Sequence, residues 1–121
     1  MYENYDSRSN MLESKNVGAA KRVWQKRLKE ARLAAGLSQR QLGIDAGLDE
    51  FVASTRINRY ELGVHASDYL MSVRLALVLG VPVAFLYCDN DEQAKMLVAF
   101  HRGSTQARRR ALLALSAPLD D

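Results

Sequence analysis

The chain has 121 residues, a length that suits one compact domain with short extensions and excludes two ordinary domains. Lys and Arg total 17 against 14 Asp and Glu, and the basic residues crowd residues 21–40 while residues 89–92 are acidic, a distribution expected of a protein that binds a polyanion. Because Cys88 is the only cysteine, an intrachain disulfide and a thiolate metal cluster are excluded, so we expect a reducing, cytoplasmic location.

Neither secretion nor membrane insertion is predicted by any segment of the sequence. Residues 1–18 are mostly polar and show scarcely any apolar periodicity, so we expect a flexible N-terminal arm. The most apolar run, residues 75–86, is broken by Gly80 and Pro82 and is too short to cross a bilayer. We therefore expect no membrane partner.

The first two predicted helices are delimited by glycines. Residues 19–35 are rich in good helix formers with apolar positions at helical spacing, and Gly36 supplies a stop. Ser38 is a good N-cap for a short second helix over residues 39–46, which Gly47 ends. A longer basic helix is thus followed by a short one.

The third predicted helix has a clear end and an open start. It ends at Glu61 and Leu62, with Gly63 at its C-terminal cap. Asp49 and Ser54 are both plausible N-caps, so two starting points remain open.

The remaining predicted elements are also helical, so the predicted fold class is all-α. Ser67 caps a fourth helix over residues 68–79, which turns five residues inward: Leu70, Met71, Leu75, Val78 and Leu79. Pro82 begins a short fifth helix at its first position. A sixth helix runs from 92 to about 102, and Ser104 begins a seventh that fades near 117, before a tail over residues 118–121.

Three runs in this order carry a resemblance to a known family. They are LKEARLAAGLSQRQLGIDAG at 28–47, RINRYELG at 56–63 and LALVLGVP at 75–82. Two short helices joined by a glycine-bearing turn are the layout that presents one helix to the DNA major groove. Over residues 22–87, the chain resembles the Cro and phage-repressor family, also called xenobiotic-response-element (XRE) regulators. The resemblance implies a lambda-repressor-like five-helix DNA-binding domain with a helix-turn-helix, here over 19–88, plus a C-terminal helical extension over 89–117.

The resemblance also implies roles for residues outside the reading helix. Arg32 and Glu61 match an ion pair that holds the fold in this family, and Gln39 matches a phosphate contact. A phosphate contact at this position is physically reasonable, because the free N–H groups of a helix N-terminus favour an anion. Ser38 and Arg40 lie beside Gln39 and are further candidates for phosphate binding. The alternative is that Ser38 is only a cap and Gln39 a solvent-exposed neighbour.

The base-reading positions implied by the resemblance lie near the start of the third helix. Arg can donate two hydrogen bonds to guanine, Asn can bond adenine, and Ser or Thr can contact a base or a phosphate. Thr55, Arg56 and Arg59 share a face away from the core, and Thr55 and Arg59 are the first candidates. Ser54 and Arg56 come next, and Asn58 is open between contact and solvent.

The sequence departs from the family pattern at two places. About four additional residues, 48–51, follow Gly47, so either the turn is longer or the third helix begins earlier. The acidic Asp49 and Glu50 are expected to point away from phosphate or to meet cytosine amino groups. Gly43 stands where the family usually has Ala, which we expect to weaken the second helix by ~1 kcal/mol.

The C-terminal extension is apolar enough to need a partner. It can pack on the rest of the monomer or form a twofold interface, and we favour the interface because one reading helix covers only half of a DNA site. The candidate interface residues are Leu97, Phe100, Leu112, Leu113 and Leu115.

The predicted function is that of a transcriptional regulator that binds double-stranded DNA sequence-specifically. We expect a repressor that binds an inverted-repeat operator as a homodimer and is therefore associated with the nucleoid. The alternative is an antitoxin or adaptor whose C-terminal helices bind a protein partner, with DNA binding as autoregulation. His65 and His101 have no second ligand at metal spacing and Cys88 has no evident base, so we expect no metal, no cofactor and no catalytic residue.

Overall fold

The computed structural model describes residues 22–118, which form six α-helices, one short 3₁₀ helix and no strand. The helices are α1 (22–34), α2 (Gln39–Asp45), α3 (Ala53–Leu62), α4 (Tyr69–Leu79), the 3₁₀ helix (Val83–Tyr87), α5 (Asp91–Arg102) and α6 (Thr105–Ser116). The predicted arm over 1–18 and most of the predicted tail over 118–121 lie outside the described residues. The all-α fold class is confirmed.

Four of the helices begin at a side chain that caps them. Ser38, Asp68, Asn90 and Ser104 each accept a hydrogen bond from the backbone N–H three residues later. The prediction of Ser67 as the cap of α4 is wrong by one residue, because its hydroxyl donates to the Asp68 carbonyl at 2.7 Å instead. The short fifth helix is 3₁₀ rather than α, and Pro82 precedes it as its cap.

The core lies where α1 to α4 and the 3₁₀ helix meet. Its fully buried large side chains are Leu28, Leu42, Ile57, Leu75 and Leu86, one from each of these five elements. Leu70 is 58% exposed, contrary to the predicted pattern, because the buried face of α4 runs through Ser72, Leu75, Ala76 and Leu79. Every element of the predicted DNA-binding domain therefore contributes to one core.

The helix pair α2 and α3 is packed closely at a single glycine. A Cβ on Gly43 would lie 2.7 Å from the Cβ of Ala53 and 3.0 Å from its Cα. The missing side chain of Gly43 lets the first turn of α3 approach, a packing reason for glycine that stands beside its expected cost to α2.

Neither predicted cap begins α3. Val52 is its N-cap and supplies no side-chain hydrogen bond. The Asp49 carboxylate instead accepts from the backbone N–H of Phe51 at 2.8 Å, within the turn between α2 and α3. Ser54 lies inside the first turn of the helix.

Arg27 is buried in the fold although it belongs to the basic N-terminal stretch. Its guanidinium donates to the carbonyls of Cys88 and Asp89 at 2.8 and 3.2 Å and to the Asp91 carboxylate at 2.9 Å. That hydrogen bond, with the charges of Lys26 and Arg27, holds the pKa of Asp91 below its usual range. Arg27 thus ties the start of α5 to α1 and is not free to bind an anion.

The C-terminal helices are less buried than the core. Ala94 is the one buried residue of α5, and α6 buries none. The Arg102 side chain donates to the Gly80 carbonyl at 3.1 Å and so attaches the end of α5 to the end of α4. Within residues 22–118, no helix is both long and apolar enough to cross a membrane.

Candidate nucleic-acid interface

The pair α2 and α3, joined by residues 46–52, forms the helix-turn-helix unit of the structure. Ser38 fixes the start of α2, since its hydroxyl accepts from the backbone N–H of Gln41 at 3.0 Å. Leu42 on α2 and Ile57 on α3 are fully buried, so both helices are anchored in the core. The opposite faces of the two helices are left on the surface.

Arg32 and Glu61 form a bidentate ion pair that joins α1 to the end of α3. The Arg32 Nε lies 2.6 Å from Glu61 Oε2 and Nη2 lies 3.0 Å from Oε1, with side-chain exposures of 11% and 4%. The hydrogen bond with Glu61 raises the pKa of Arg32 against the opposing effect of burial. Arg32 also donates to the Leu37 carbonyl at 3.0 Å, which holds the turn before α2. This geometry is that of a fold-stabilising pair.

Gln39 connects the start of α2 to α3. Its amide Nε2 donates to Asn58 Oδ1 and to Glu61 Oε1, both at 3.1 Å. This link was not expected from the sequence, and no local pattern could have shown it, because the two partners lie 19 and 22 residues away. Both hydrogen bonds come from the Gln39 side-chain amide. For a phosphate at this end of α2, the free backbone N–H groups of the helix are further donors.

The candidate base-reading residues lie together on the surface of α3. They are Ser54, Thr55, Arg56, Asn58 and Arg59, all exposed. Thr55 and Arg59 lie on the side of α3 opposite the buried Ile57 and Tyr60. The structure therefore brings these two to the centre of the exposed face.

The two arginines of α3 have different surroundings. Arg56 is turned to the edge of the helix, where its guanidinium lies 5.8 Å from the centre of the Tyr60 ring and donates to the Tyr60 hydroxyl at 3.3 Å. Arg59 Nη1 lies 3.5 Å from His65 Nε2 and otherwise faces solvent. Arg59 is the more available donor of the two.

Arg40 is held by the additional turn residues. Its Nη2 lies 3.5 Å from Glu50 Oε2, and both side chains are more than half exposed. An exposed pair of this kind is worth about 0–1 kcal/mol, so a phosphate can replace Glu50 at little cost. The Glu50 carboxylate is directed toward Arg40, and the Asp49 carboxylate toward the backbone.

The apolar residues of the C-terminal extension lie largely on the surface. Exposed fractions are 42% for Phe100, 54% for Leu112, 72% for Leu113 and 67% for Leu115, and Leu97 is half-buried. An apolar groove of about 240 Å³ separates α5 from α6, lined by Phe100, Leu112 and Leu115 among others. Arg108 spans the connection, with its guanidinium 5.5 Å from the Phe100 ring centre and Nε donating to the Phe100 carbonyl at 2.7 Å.

Comparison with known proteins agrees with this geometry. A family model described as helix-turn-helix matches residues 28–86. The crystal structure of the transcriptional regulator BswR is similar, with 39% sequence identity and a TM-score of 0.69, and the match covers 77% of this chain and 98% of that chain. A search of curated protein sequences gives no significant match. The chain belongs to the XRE-type, Cro and phage-repressor family of helix-turn-helix transcriptional regulators.

Proposed function

We propose that the chain is a sequence-specific transcriptional regulator that binds an inverted-repeat DNA operator as a homodimer and represses by covering a promoter. The observation that carries this proposal is the exposed face of α3, centred on Thr55 and Arg59, on a helix that the Arg32–Glu61 pair holds in place. A rigid helix with polar donors on one face suits the reading of base edges in the major groove. Residues 19–88 are the proposed DNA-binding domain and residues 89–117 the proposed dimerisation extension.

The proposed contacts separate base reading from positioning. Arg59 and Thr55 read bases first, with Ser54, Arg56 and Asn58 beside them on α3. Ser38, Gln39 and Arg40 at the start of α2 meet phosphates, where the free N–H groups of the helix favour an anion. Arg56 reaches a base only by leaving Tyr60, so we expect it to contribute less than Arg59.

Selection of binding sites from a random duplex DNA pool tests the sequence specificity. We expect enrichment of a palindrome with half-sites roughly one helical turn apart, and affinity that falls steeply with added salt because phosphate contacts release counterions. A pool without any enriched sequence would contradict the proposal, as would affinity that does not depend on salt.

Single substitutions then assign roles on the selected operator. Arg59→Ala should cost ~1 to 3 kcal/mol of binding free energy and relax base preference at one position in each half-site. Gln39→Ala should weaken binding by a similar factor for all sequences. Lys95→Ala, an exposed cation on α5, is the matched control and should leave both affinity and preference unchanged. An Arg59→Ala protein with wild-type preference would remove Arg59 from the reading residues.

The homodimer rests on the exposed leucines of α6. α6 has no buried residue, so contact with a partner would bury apolar surface that is now exposed to water. A second copy of the chain also supplies the second reading helix that an inverted repeat requires. Leu112→Glu and Leu115→Glu should shift the mass in sedimentation from dimer to monomer. Leu77→Glu, a control on α4 whose wild-type residue is 74% exposed, should leave the dimer intact. A monomeric wild type would contradict the homodimer, and dimeric α6 variants would exclude this interface.

The same observation supports a second function, that of an antitoxin or adaptor. The groove between α5 and α6 and the exposed leucines can bind another protein, with DNA binding as autoregulation. In a pull-down with the full chain, a specific partner that is lost in the Leu112→Glu variant would favour this function. A chain that selects an operator and captures no partner favours the regulator.

A further inference from the structure

Phe51 is the most exposed large hydrophobic residue among those that the structure describes, with an exposed fraction of 87%. It lies in the turn between α2 and α3, two residues before α3 begins at Ala53. Water around an apolar ring is unfavourable, and this residue is outside the core and outside the apolar face of α6. Contact with an apolar partner would remove this ring from water and is therefore favourable.

The turn holds Phe51 in a defined place. Its backbone N–H donates to the Asp49 carboxylate at 2.8 Å, and the next N–H, of Val52, donates to the Asp49 carbonyl at 3.1 Å. The Glu50 side chain is directed to Arg40 at 3.5 Å, which connects the turn to α2. Both acidic side chains are thus hydrogen-bonded within the protein, and Phe51 is the most exposed apolar side chain of the turn, at 87% against 44% for Val52.

The usual structural use of such a residue does not apply here. An apolar residue directly before an N-cap often packs against the fourth residue of the helix. With Val52 as the cap, the fourth residue of α3 is Arg56, whose guanidinium lies over the Tyr60 ring. Since Phe51 remains 87% exposed, it does not pack on its own helix.

We propose that Phe51 is a further specificity-determining residue, whose ring contacts the C5-methyl group of a thymine in the major groove. This inference rests on the proposed function, since it requires α3 to enter that groove. The first residues of a reading helix lie nearest the base edges, and Phe51 leads into that end of α3, next to Ser54 and Thr55. Thymine alone presents an apolar methyl group in the major groove, and Phe is a side chain that recognises it. Phe51 therefore selects thymine by apolar contact, beside the polar contacts of Ser54 and Thr55.

Removing single thymine methyl groups tests the contact directly. The operator is first selected with the wild-type chain, and each thymine is then replaced by deoxyuridine, which lacks the C5-methyl group and keeps the base pair. We expect one position per half-site at which this replacement weakens wild-type binding about fourfold, the equivalent of ~0.8 kcal/mol for one methyl group. In Phe51→Ala the two operators should bind equally at that position.

Two further variants separate the methyl contact from other effects. Phe51→Leu keeps an apolar side chain and should retain part of the preference for thymine. Leu77→Ala, a change at another exposed apolar residue, should keep the full wild-type ratio. Urea denaturation of all three variants should match the wild type, because neither exposed side chain supports the fold.

Each outcome of this experiment decides the inference. A wild type that is insensitive to every deoxyuridine replacement would overturn it, and so would a Phe51→Ala chain that keeps the wild-type ratio at the sensitive position. In both cases an operator has still been selected, so the proposed function stands. If no operator is selected, the proposed function fails first and the contact fails with it.

Discussion

Gly43→Ala tests the closest contact between the two helices of the helix-turn-helix unit. The added Cβ would lie 2.7 Å from the Cβ of Ala53, and 3.0 Å from both its Cα and its carbonyl oxygen. Carbon atoms in contact normally lie about 3.5–4 Å apart, so α2 and α3 would have to separate by about 1 Å. Two of the three neighbouring atoms belong to the backbone of α3, so no side-chain rotation can relieve the contact.

The sign of the effect follows from two opposing terms. Alanine in place of glycine in a helix gains about 1 kcal/mol, and overpacking of a tight contact costs about 1–3 kcal/mol. Because the contact with Ala53 involves backbone, we expect overpacking to dominate and Gly43→Ala to lower the free energy of unfolding by about 1 kcal/mol. With a urea dependence of about 1.5 kcal/mol/M, the midpoint should fall by roughly 0.7 M.

The assay is urea denaturation at fixed protein concentration, followed by the fluorescence of Trp24, the one tryptophan of the chain. The double variant with Ala53→Gly removes the opposing Cβ, so Ala53→Gly should cost less in the Gly43→Ala background than in the wild type, with a coupling of about 1 kcal/mol. An unchanged or raised midpoint in Gly43→Ala, or additive effects in the double variant, would refute the reasoning. In that case the two helices separate freely.

Three further substitutions test interactions in the rest of the fold. Glu61→Gln leaves Arg32 buried without its counter-charge and should cost about 3 kcal/mol, and a loss below ~1 kcal/mol in urea denaturation would argue against a fold-stabilising pair. Ser72→Ala removes the oxygen that accepts from the indole N–H of Trp24 at 3.1 Å, so we expect a loss of about 1–3 kcal/mol, and a midpoint equal to that of the wild type would count against it. Hydrogen bonding to Arg27 lowers the pKa of Asp91 in the folded state. Its carboxylate therefore stabilises the fold at pH values above the unfolded-state pKa of about 3.9. This stabilisation is lost as the pH falls through the lower folded-state pKa. Asp91→Asn should therefore be less stable than the wild type at pH 7, and the two midpoints should converge as the pH falls below the folded-state pKa of Asp91. A gap of constant size from pH 7 down through the acid range would contradict the assignment.

Helix ends were predicted well where they depend on local chemistry. Ser38 and Ser104 cap α2 and α6 as their position before an apolar pattern indicates, and Gly63 ends α3 in a left-handed conformation with a φ of 76°. These features need only the residue itself and its near neighbours in sequence. The start of α3 was not predicted, because Asp49 has the chemistry of a cap and uses it within the turn.

Features that depend on contacts across the fold were not available from the sequence. Gly43 is explained only by the approach of Ala53 from another helix. From the sequence, Arg27 belongs to a basic surface. Its actual partners, Asp89 and Asp91, lie more than sixty residues away in the sequence. The pairing of Arg32 with Glu61 was expected from the family resemblance alone, and the structure gives the distances between the two side chains. Spacing and composition carry little information about such long-range partners.

The Gln39 link supports the orientation of α3, the proposed reading helix, in addition to the Arg32–Glu61 ion pair. One Glu61 carboxylate oxygen accepts from both Arg32 and Gln39, and Gln39 also donates to Asn58 on the exposed side of α3. The proposed phosphate and base contacts are therefore joined by hydrogen bonds before DNA arrives. Such preorganisation lowers the ordering cost of binding, so a small face of α3 can support useful affinity. Under the proposed function, loss of this link in Gln39→Ala therefore weakens binding to all sequences alike, whereas Arg59→Ala also relaxes the base preference.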